Sequence, residues 1–199
     1  RLQYYLPEFD LQLNFHPMDF TQINAGINRK IISQALSLLE LSEDDTVLDL
    51  FCGLGNFTLA AARRAKKVVG VEGSQEMVIR GSENASLNGL SNIEFHAADL
   101  FQPVSEKDWA AQQYSKIILD PPRSGAIEII PEIANLGAKI IVYVSCNPAT
   151  LARDAAELIS AGYQLRATGV MDMFPHTTHV ESMAVFDAGK RPRNSAPTN

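Results

Sequence analysis

Two periods of apolar residues alternate along the chain. Short, nearly continuous apolar runs occur at 46–51 (Val47, Leu48, Leu50, Phe51), 68–72 (Val68, Val69, Val71), 116–120 (Ile117, Ile118, Leu119) and 140–144. Runs of this length, rich in β-branched residues, read as strands buried on both faces. Between them apolar residues return at helical spacing, as in Ile27, Ile31, Ala35, Leu38 and Leu39, which predicts helices with one buried stripe. Further helices are expected over 58–64, 74–88, 126–136 and 148–162, and a strand over 93–96. Ser74 is suited to cap its helix, Asn88-Gly89 to end it, and Pro148 to stand in a first turn, where a missing N–H costs little. Leu11, Leu13 and Phe15 alternate with Gln12 and Asn14, the period of a short half-buried strand. Residues 101–115 are polar and irregular around Trp109, and 163–170 and 182–186 read as an antiparallel edge pair.

Strands alternating with helices predict an α/β domain with a doubly wound, mostly parallel seven-stranded sheet and an antiparallel edge. The expected division is a lead-in segment at 1–20 belonging to an upstream part, a catalytic domain at 21–186 and a disordered tail at 187–199. The chain starts at Arg1 inside a mixed segment, as expected for a fragment of a longer protein.

Composition narrows the class. With 199 residues, 46% of them hydrophobic, one sizeable core is expected. No apolar run reaches the roughly 20 residues that span a bilayer, and Arg1-Leu2-Gln3-Tyr4 does not open a signal peptide. Cys52 and Cys146 lie far apart and form neither a disulfide framework nor a metal-binding spacing. A cytoplasmic protein with free thiols, no membrane partner and a monomeric state is the expectation. The net charge of -6 argues against binding nucleic acid through bulk electrostatics alone, though not against gripping one nucleotide. Lys190, Arg191 and Arg193 read as a solvated run in the tail.

Four stretches carry candidate chemistry. Asp49-Leu50-Phe51-Cys52-Gly53-Leu54-Gly55-Asn56-Phe57 joins a strand to a helix through a glycine turn that lets backbone approach a nucleotide. Glu72, at the tip of the next strand, is suited to accept two ribose hydroxyls. This pair serves a dinucleotide or S-adenosylmethionine. Thr58 stands where a third dinucleotide-type glycine would fall, and Asp49 suits a ligand carrying an ammonium group. Asp120-Pro121-Pro122-Arg123 is a stiffened loop at a strand end, a rigid turn or a contact with cofactor or substrate. Ser145-Cys146-Asn147-Pro148 sets a thiol between a strand end and a helix start. A lone cysteine is usually packing, but a helix N-terminus lowers a thiol pKa and favours the thiolate. Phe174-Pro175-His176-Thr177-Thr178-His179-Val180-Glu181 ends in a carboxylate behind two histidines.

Taken in order, Phe20-x-Gln22-x-Asn24, the glycine stretch, Asp120-Pro121-x-Arg123, Ser145-Cys146-Asn147-Pro148 and His179-x-Glu181 form a set that resembles the catalytic domain of the RNA 5-methyluridine methyltransferases. The likeness covers about residues 11–186 and is strongest to members acting on 23S rRNA. It implies a Rossmann-like S-adenosylmethionine-dependent methyltransferase with RNA, 23S rRNA in particular, as partner. By this resemblance Cys146 is the nucleophile and Glu181 the general base. Gln22, Phe51, Asn56, Glu72, Asp99 and Asp120 bind the cofactor, and Arg123 orients the substrate. The family also implies an upstream RNA-binding β-barrel and a cysteine-ligated iron–sulfur cluster, for which Cys52 and Cys146 cannot supply four ligands. Two other readings stay open. Asp120-Pro121-Pro122 is similar to a motif of amino-N-methyltransferases, although Arg123 stands where their aromatic residue would be. A non-catalytic RNA-binding module could keep the same fold.

Overall fold

The computed structural model describes residues 2–19, 25–172 and 180–189. Gln22, with Phe20 and Asn24, and the stretch Phe174 to His179 lie outside the described residues. The main sheet contains β3 (Thr46–Leu50), β4 (Lys67–Glu72), β5 (Ile93–Ala97), β6 (Lys116–Leu119), β7 (Ile140–Ser145), β8 (Tyr163–Asp172) and β9 (Val180–Ala188). It follows a hairpin of β1 (Leu2–Leu6) and β2 (Leu11–Phe15), and its connections carry α1 (Ala25–Leu39), α2 (Asn56–Ala62), α3 (Gln75–Leu87), α4 (Ile130–Ile133) and α5 (Pro148–Ser160).

The seven strands lie in the order β5-β4-β3-β6-β7-β9-β8, parallel except that β9 runs antiparallel to β7 and β8. Strand order reverses between β3 and β6. Open α/β sheets bind ligands at such a switch point, beyond the carboxyl ends of the strands. Each apolar run divides between two faces, because successive strand side chains point opposite ways. Val47, Val68, Ile118, Val142 and Val185 pack with α1, α2 and the hairpin. Leu48, Val69, Ile117, Ile141 and Phe186 pack on the other side with Trp109, Ile130 and Leu158. No described helix is long and apolar enough to cross a membrane.

Three elements differ from the expectation. The segment 126–136 keeps only α4 as helix; around it Ile129, Asn135 and Leu136 donate to carbonyls three residues back, a chain of tight turns. Pro131 lacks the N–H that a longer helix would use. β9 runs on to Ala188, because Asp187 pairs with both Ile140 and Gln164. β1 pairs along its whole length with β2, and Leu6, Leu11 and Leu13 are fully buried against the domain.

That hairpin is fastened by polar contacts as well. Asn84 on α3 and Asn88, which caps its end one turn later, each hold a residue of β2 by its amide and its carbonyl. Asn14 N–H donates to Asn84 Oδ1 (2.8 Å) and Asn84 Nδ2 to Asn14 O (3.1 Å). Gln12 N–H donates to Asn88 Oδ1 (2.9 Å) and Asn88 Nδ2 to Gln12 O (2.7 Å). Arg80, a turn earlier, pairs with Asp19 at 2.8 Å.

Candidate active site

The glycine stretch turns sharply after β3. Phe51 (φ 62), Gly53 (φ 56) and Gly55 (φ 100) all take left-handed backbone. For an aromatic residue that conformation is uncommon and marks a local constraint. It brings the Phe51 ring to 5.8 Å from that of Phe101. The turn is tied to β4 by two loops meeting at one carboxylate: Gly53 N–H donates to Glu72 Oε2 (3.0 Å) and Ser74 N–H to Glu72 Oε1 (3.1 Å). Glu72 is half-buried, so its oxygens keep capacity for further donors. Gly70 admits the turn, since a Cβ there would lie 3.0 Å from both the Cys52 sulfur and the Phe95 ring. Cys52 is thereby buried as packing.

Asp49 sits beneath the turn with no exposed surface. Thr58 Oγ1 donates to its Oδ2 at 2.6 Å, while Oδ1 has no partner. Burial pushes its carboxyl up to about 7; the Thr58 hydrogen bond opposes this and the nearby Glu72 charge adds to it. Asn56, at the start of α2, also has a buried side-chain oxygen without a partner. Both atoms are acceptors, the atoms an ammonium or hydroxyl group would satisfy. Asp99, past the end of β5, is exposed and accepts the Phe101 N–H at 2.9 Å.

On the far side of the switch point, β6 is followed at once by the half-buried Asp120 and β7 by Cys146. Ser145 of β7 pairs with Ser182 of β9. Cys146 and Glu181 are each the next residue beyond that pair, at one end of two neighbouring strands. Burial holds the Cys146 thiol above its ordinary value; the Glu181 charge raises it further, Arg123 lowers it and Asp120 raises it. A helix start behind the thiol led the sequence to the opposite expectation. Burial and two carboxyl groups outweigh it. Burial likewise raises Glu181, whose Oε2 has no partner, and pushes Asp120 well up, with Glu181 the leading charge. Arg123 is exposed in the loop after β6.

The described residues thus bring seven of the nine sequence-derived positions, Phe51, Asn56, Glu72, Asp99, Asp120, Arg123 and Cys146, to strand ends and loops on the carboxyl side of the sheet. Glu181 reaches the same edge from the antiparallel strand, while Gln22 lies outside the described residues. Sequence reasoning missed Asp154, which is fully buried on α5. The signal was present: an acid between Leu151 and Leu158 on the helix's apolar stripe.

The class follows from the fold and this cluster: a Rossmann-like α/β domain of the kind found in S-adenosylmethionine-dependent methyltransferases. The chain belongs to the tRNA (uracil-5-)-methyltransferase family, whose profile matches residues 8–188. It is 64% identical over 191 residues to the 23S rRNA (uracil(1939)-C(5))-methyltransferase RlmD of Alcanivorax borkumensis, covering 96% of this chain and 43% of that protein. The corresponding enzyme of Acinetobacter baylyi is 56% identical over 190 residues, covering 94% of this chain and 41% of that protein. The chain therefore spans less than half the length of these curated relatives. In structure it is similar to the Pyrococcus abyssi tRNA (uracil-54, C5)-methyltransferase in complex with S-adenosyl-L-homocysteine (TM-score 0.79, 29% identity), covering 93% of this chain and 44% of that one. The precorrin-6y C5,15-methyltransferase of Geobacter metallireducens, at 13% identity and a TM-score of 0.69, shares the fold alone.

Proposed function

We propose that this chain is the catalytic domain of an enzyme that methylates C5 of a uracil in RNA, with 23S rRNA as the substrate. The observation that carries the reading is the β7–β9 register, which sets a thiol and a carboxyl group side by side at the sheet end. The 64% identity to a protein named for uracil C5 methylation supports the choice of base and RNA.

The residues around the glycine turn fit S-adenosylmethionine. The partnerless oxygens of Asp49 and Asn56 suit its ammonium group, the Glu72 carboxylate its ribose hydroxyls, and Phe51 and Asp99 its adenine. Gln22 and Asp120 complete the set. When bound, the cofactor supplies an electrophilic methyl group to C5. Uracil C5 is a poor nucleophile, so the protein must enrich it with electrons. Cys146, as thiolate, forms a bond to C6, and the C5–C6 π pair moves toward C5. After C5 is methylated, Glu181 takes the C5 proton; the freed pair re-forms C5=C6 and the sulfur leaves as thiolate. The Arg123 cation opposes the burial that disfavours the thiolate. The target base must leave its stack to reach the thiol.

The test is nucleoside mass spectrometry of 23S rRNA treated with the full-length enzyme and a methyl-labelled cofactor. Label on uracil C5 that disappears with Cys146→Ala supports the reading. Label on an exocyclic amine, or activity surviving Cys146→Ala, overturns it.

A further inference from the structure

The loop after β6 is gripped along its length by α5, the helix that starts immediately after Cys146. Asn147 Nδ2 donates to Arg123 O at 3.2 Å and Thr150 Oγ1 to the same carbonyl at 3.1 Å. Arg153 Nη2 donates to Ser124 O at 2.8 Å. The Ala126 N–H donates to Asp154 Oδ2 at 2.7 Å, and Tyr143 Oη, from β7, donates to the same oxygen at 2.5 Å. Arg153 Nε donates to the other oxygen, Oδ1, at 3.0 Å. Gly125 fits between them in left-handed backbone (φ 82), where a Cβ would lie 2.5 Å from Arg153 Nη2 and 2.6 Å from Asp154 Oδ2. A loop of this composition would otherwise be free to shift. Here successive backbone groups are fixed to one helix, and that helix is fixed to the thiol by Asn147, which caps it one residue after Cys146.

We propose that Thr150 and Asp154 are positioning residues for the reaction: they hold the Arg123 loop in register with Cys146, so that the guanidinium stays beside the thiol and the incoming pyrimidine. The functional part rests on Cys146 being the nucleophile; the clamp itself does not. Arg123 is the cation that draws the Cys146 thiol toward its thiolate against Glu181 and Asp120, so a loosened loop leaves the thiol less reactive.

Thr150 is the sharper probe, because it is half-exposed and its one hydroxyl proton is shared between Arg123 O on the loop (3.1 Å) and Asn147 O in the first turn of α5 (3.1 Å). In the full-length enzyme, Thr150→Val is expected to lower the methylation kcat about tenfold with the cofactor Kd unchanged, and Thr150→Ser to restore it. Iodoacetamide labelling of the Cys146 peptide, followed by mass spectrometry, should slow about fivefold in both Thr150→Val and Arg123→Gln. The double variant should be no slower than the slower single one, because both act through the same cation. Wild-type labelling and turnover in Thr150→Val would overturn the proposal, as would effects that multiply in the double variant or a Thr150→Ser that fails to recover. Asp154→Asn should behave as Thr150→Val does; if it does not fold, the Thr150 series still decides. Should the full-length enzyme methylate another atom, the labelling cycle tests the clamp independently of that result.

Discussion

Cys146 and Glu181 each lie one residue past the Ser145–Ser182 pair, at the same end of two antiparallel strands from distant parts of the chain. A nucleophile and a base so related would, in the proposed reaction, act on opposite ends of one double bond, with C6 taking the sulfur and C5 losing the proton. Removal of the base alone should then stall the reaction after sulfur has added. Glu181→Gln is expected to accumulate a covalent protein–RNA adduct that survives denaturing gels in the presence of cofactor, and Cys146→Ala introduced on top of it should abolish the adduct. A Glu181→Gln enzyme that turns over normally, with no adduct, would remove Glu181 from the role.

In the proposed reaction the two groups would also set the pH dependence of the rate. Glu181 is raised above the usual carboxylate range by burial, and it must be deprotonated to accept the C5 proton. Cys146 is raised as well, and it must be deprotonated to add. Both shifts have the same sign for catalysis: single-turnover methylation should rise as pH rises, with its acid limb displaced above the ordinary glutamate range. Arg123→Gln should move the thiol-dependent part of the profile further to high pH, because the cation that favours the thiolate is gone. A profile flat from pH 5 to 9 would contradict the assignment of both groups.

The sheet was legible in the sequence because strands buried on both faces leave a continuous apolar run, as at Val68-Val69 and Ile140 to Val144. The turn at Gly53 and Gly55, with Glu72 behind it, was legible for a related reason: only close backbone approach calls for those residues there. β1 was not, since its pattern shows one fully buried residue, Leu6, and its partner is β2. The partnership of Cys146 with Glu181 was a matter of motif order and not of spacing, because the β7–β9 register is set by pairing across more than 30 residues of intervening chain, far beyond local propensity. The direction of the thiol shift was hidden for the same reason: it is set by burial in the folded site and by carboxyl groups that come from other strands.

Asp49 couples the cofactor loop to stability. Its carboxyl, near 3.8 when unfolded, is pushed up to about 7 in the fold. The folded chain therefore holds this proton more tightly. The stability it contributes is fully present below the unfolded value and is lost as pH rises through about 7. Between pH 5 and pH 8 the cofactor-free domain should lose stability through this group, on the order of 2–4 kcal/mol. Asp49→Asn should flatten that part of the dependence in urea unfolding and make the domain more stable than wild type at pH 8. The same change should weaken cofactor binding about tenfold, because the partnerless Oδ1 is lost as an anionic acceptor. Equal pH dependence in the two proteins would show that Asp49 is already ionised in the fold.

Asn84 of α3 and its C-cap Asn88 substitute for a strand along the outer edge of β2. Each satisfies one backbone N–H and one C=O that would otherwise be left without protein partners, and Asn84 is fully buried while doing so. Truncating either leaves an orphaned donor and acceptor at the interface, which costs about 1–3 kcal/mol. Asn84→Ala should cost more than Asn88→Ala, because water reaches the half-buried Asn88 site and replaces part of what is lost. The losses should not add in the double variant, since once the hairpin edge has lifted at one residue the neighbouring bonds loosen with it. Amide exchange gives the local readout. The Gln12 and Asn14 amides should exchange faster in either variant, while those of β3 and β6 at the centre of the sheet keep the protection of the whole fold. If Gln12 and Asn14 stay as protected as β3 in Asn84→Ala, the hairpin is held by the burial of Leu6, Leu11 and Leu13 alone.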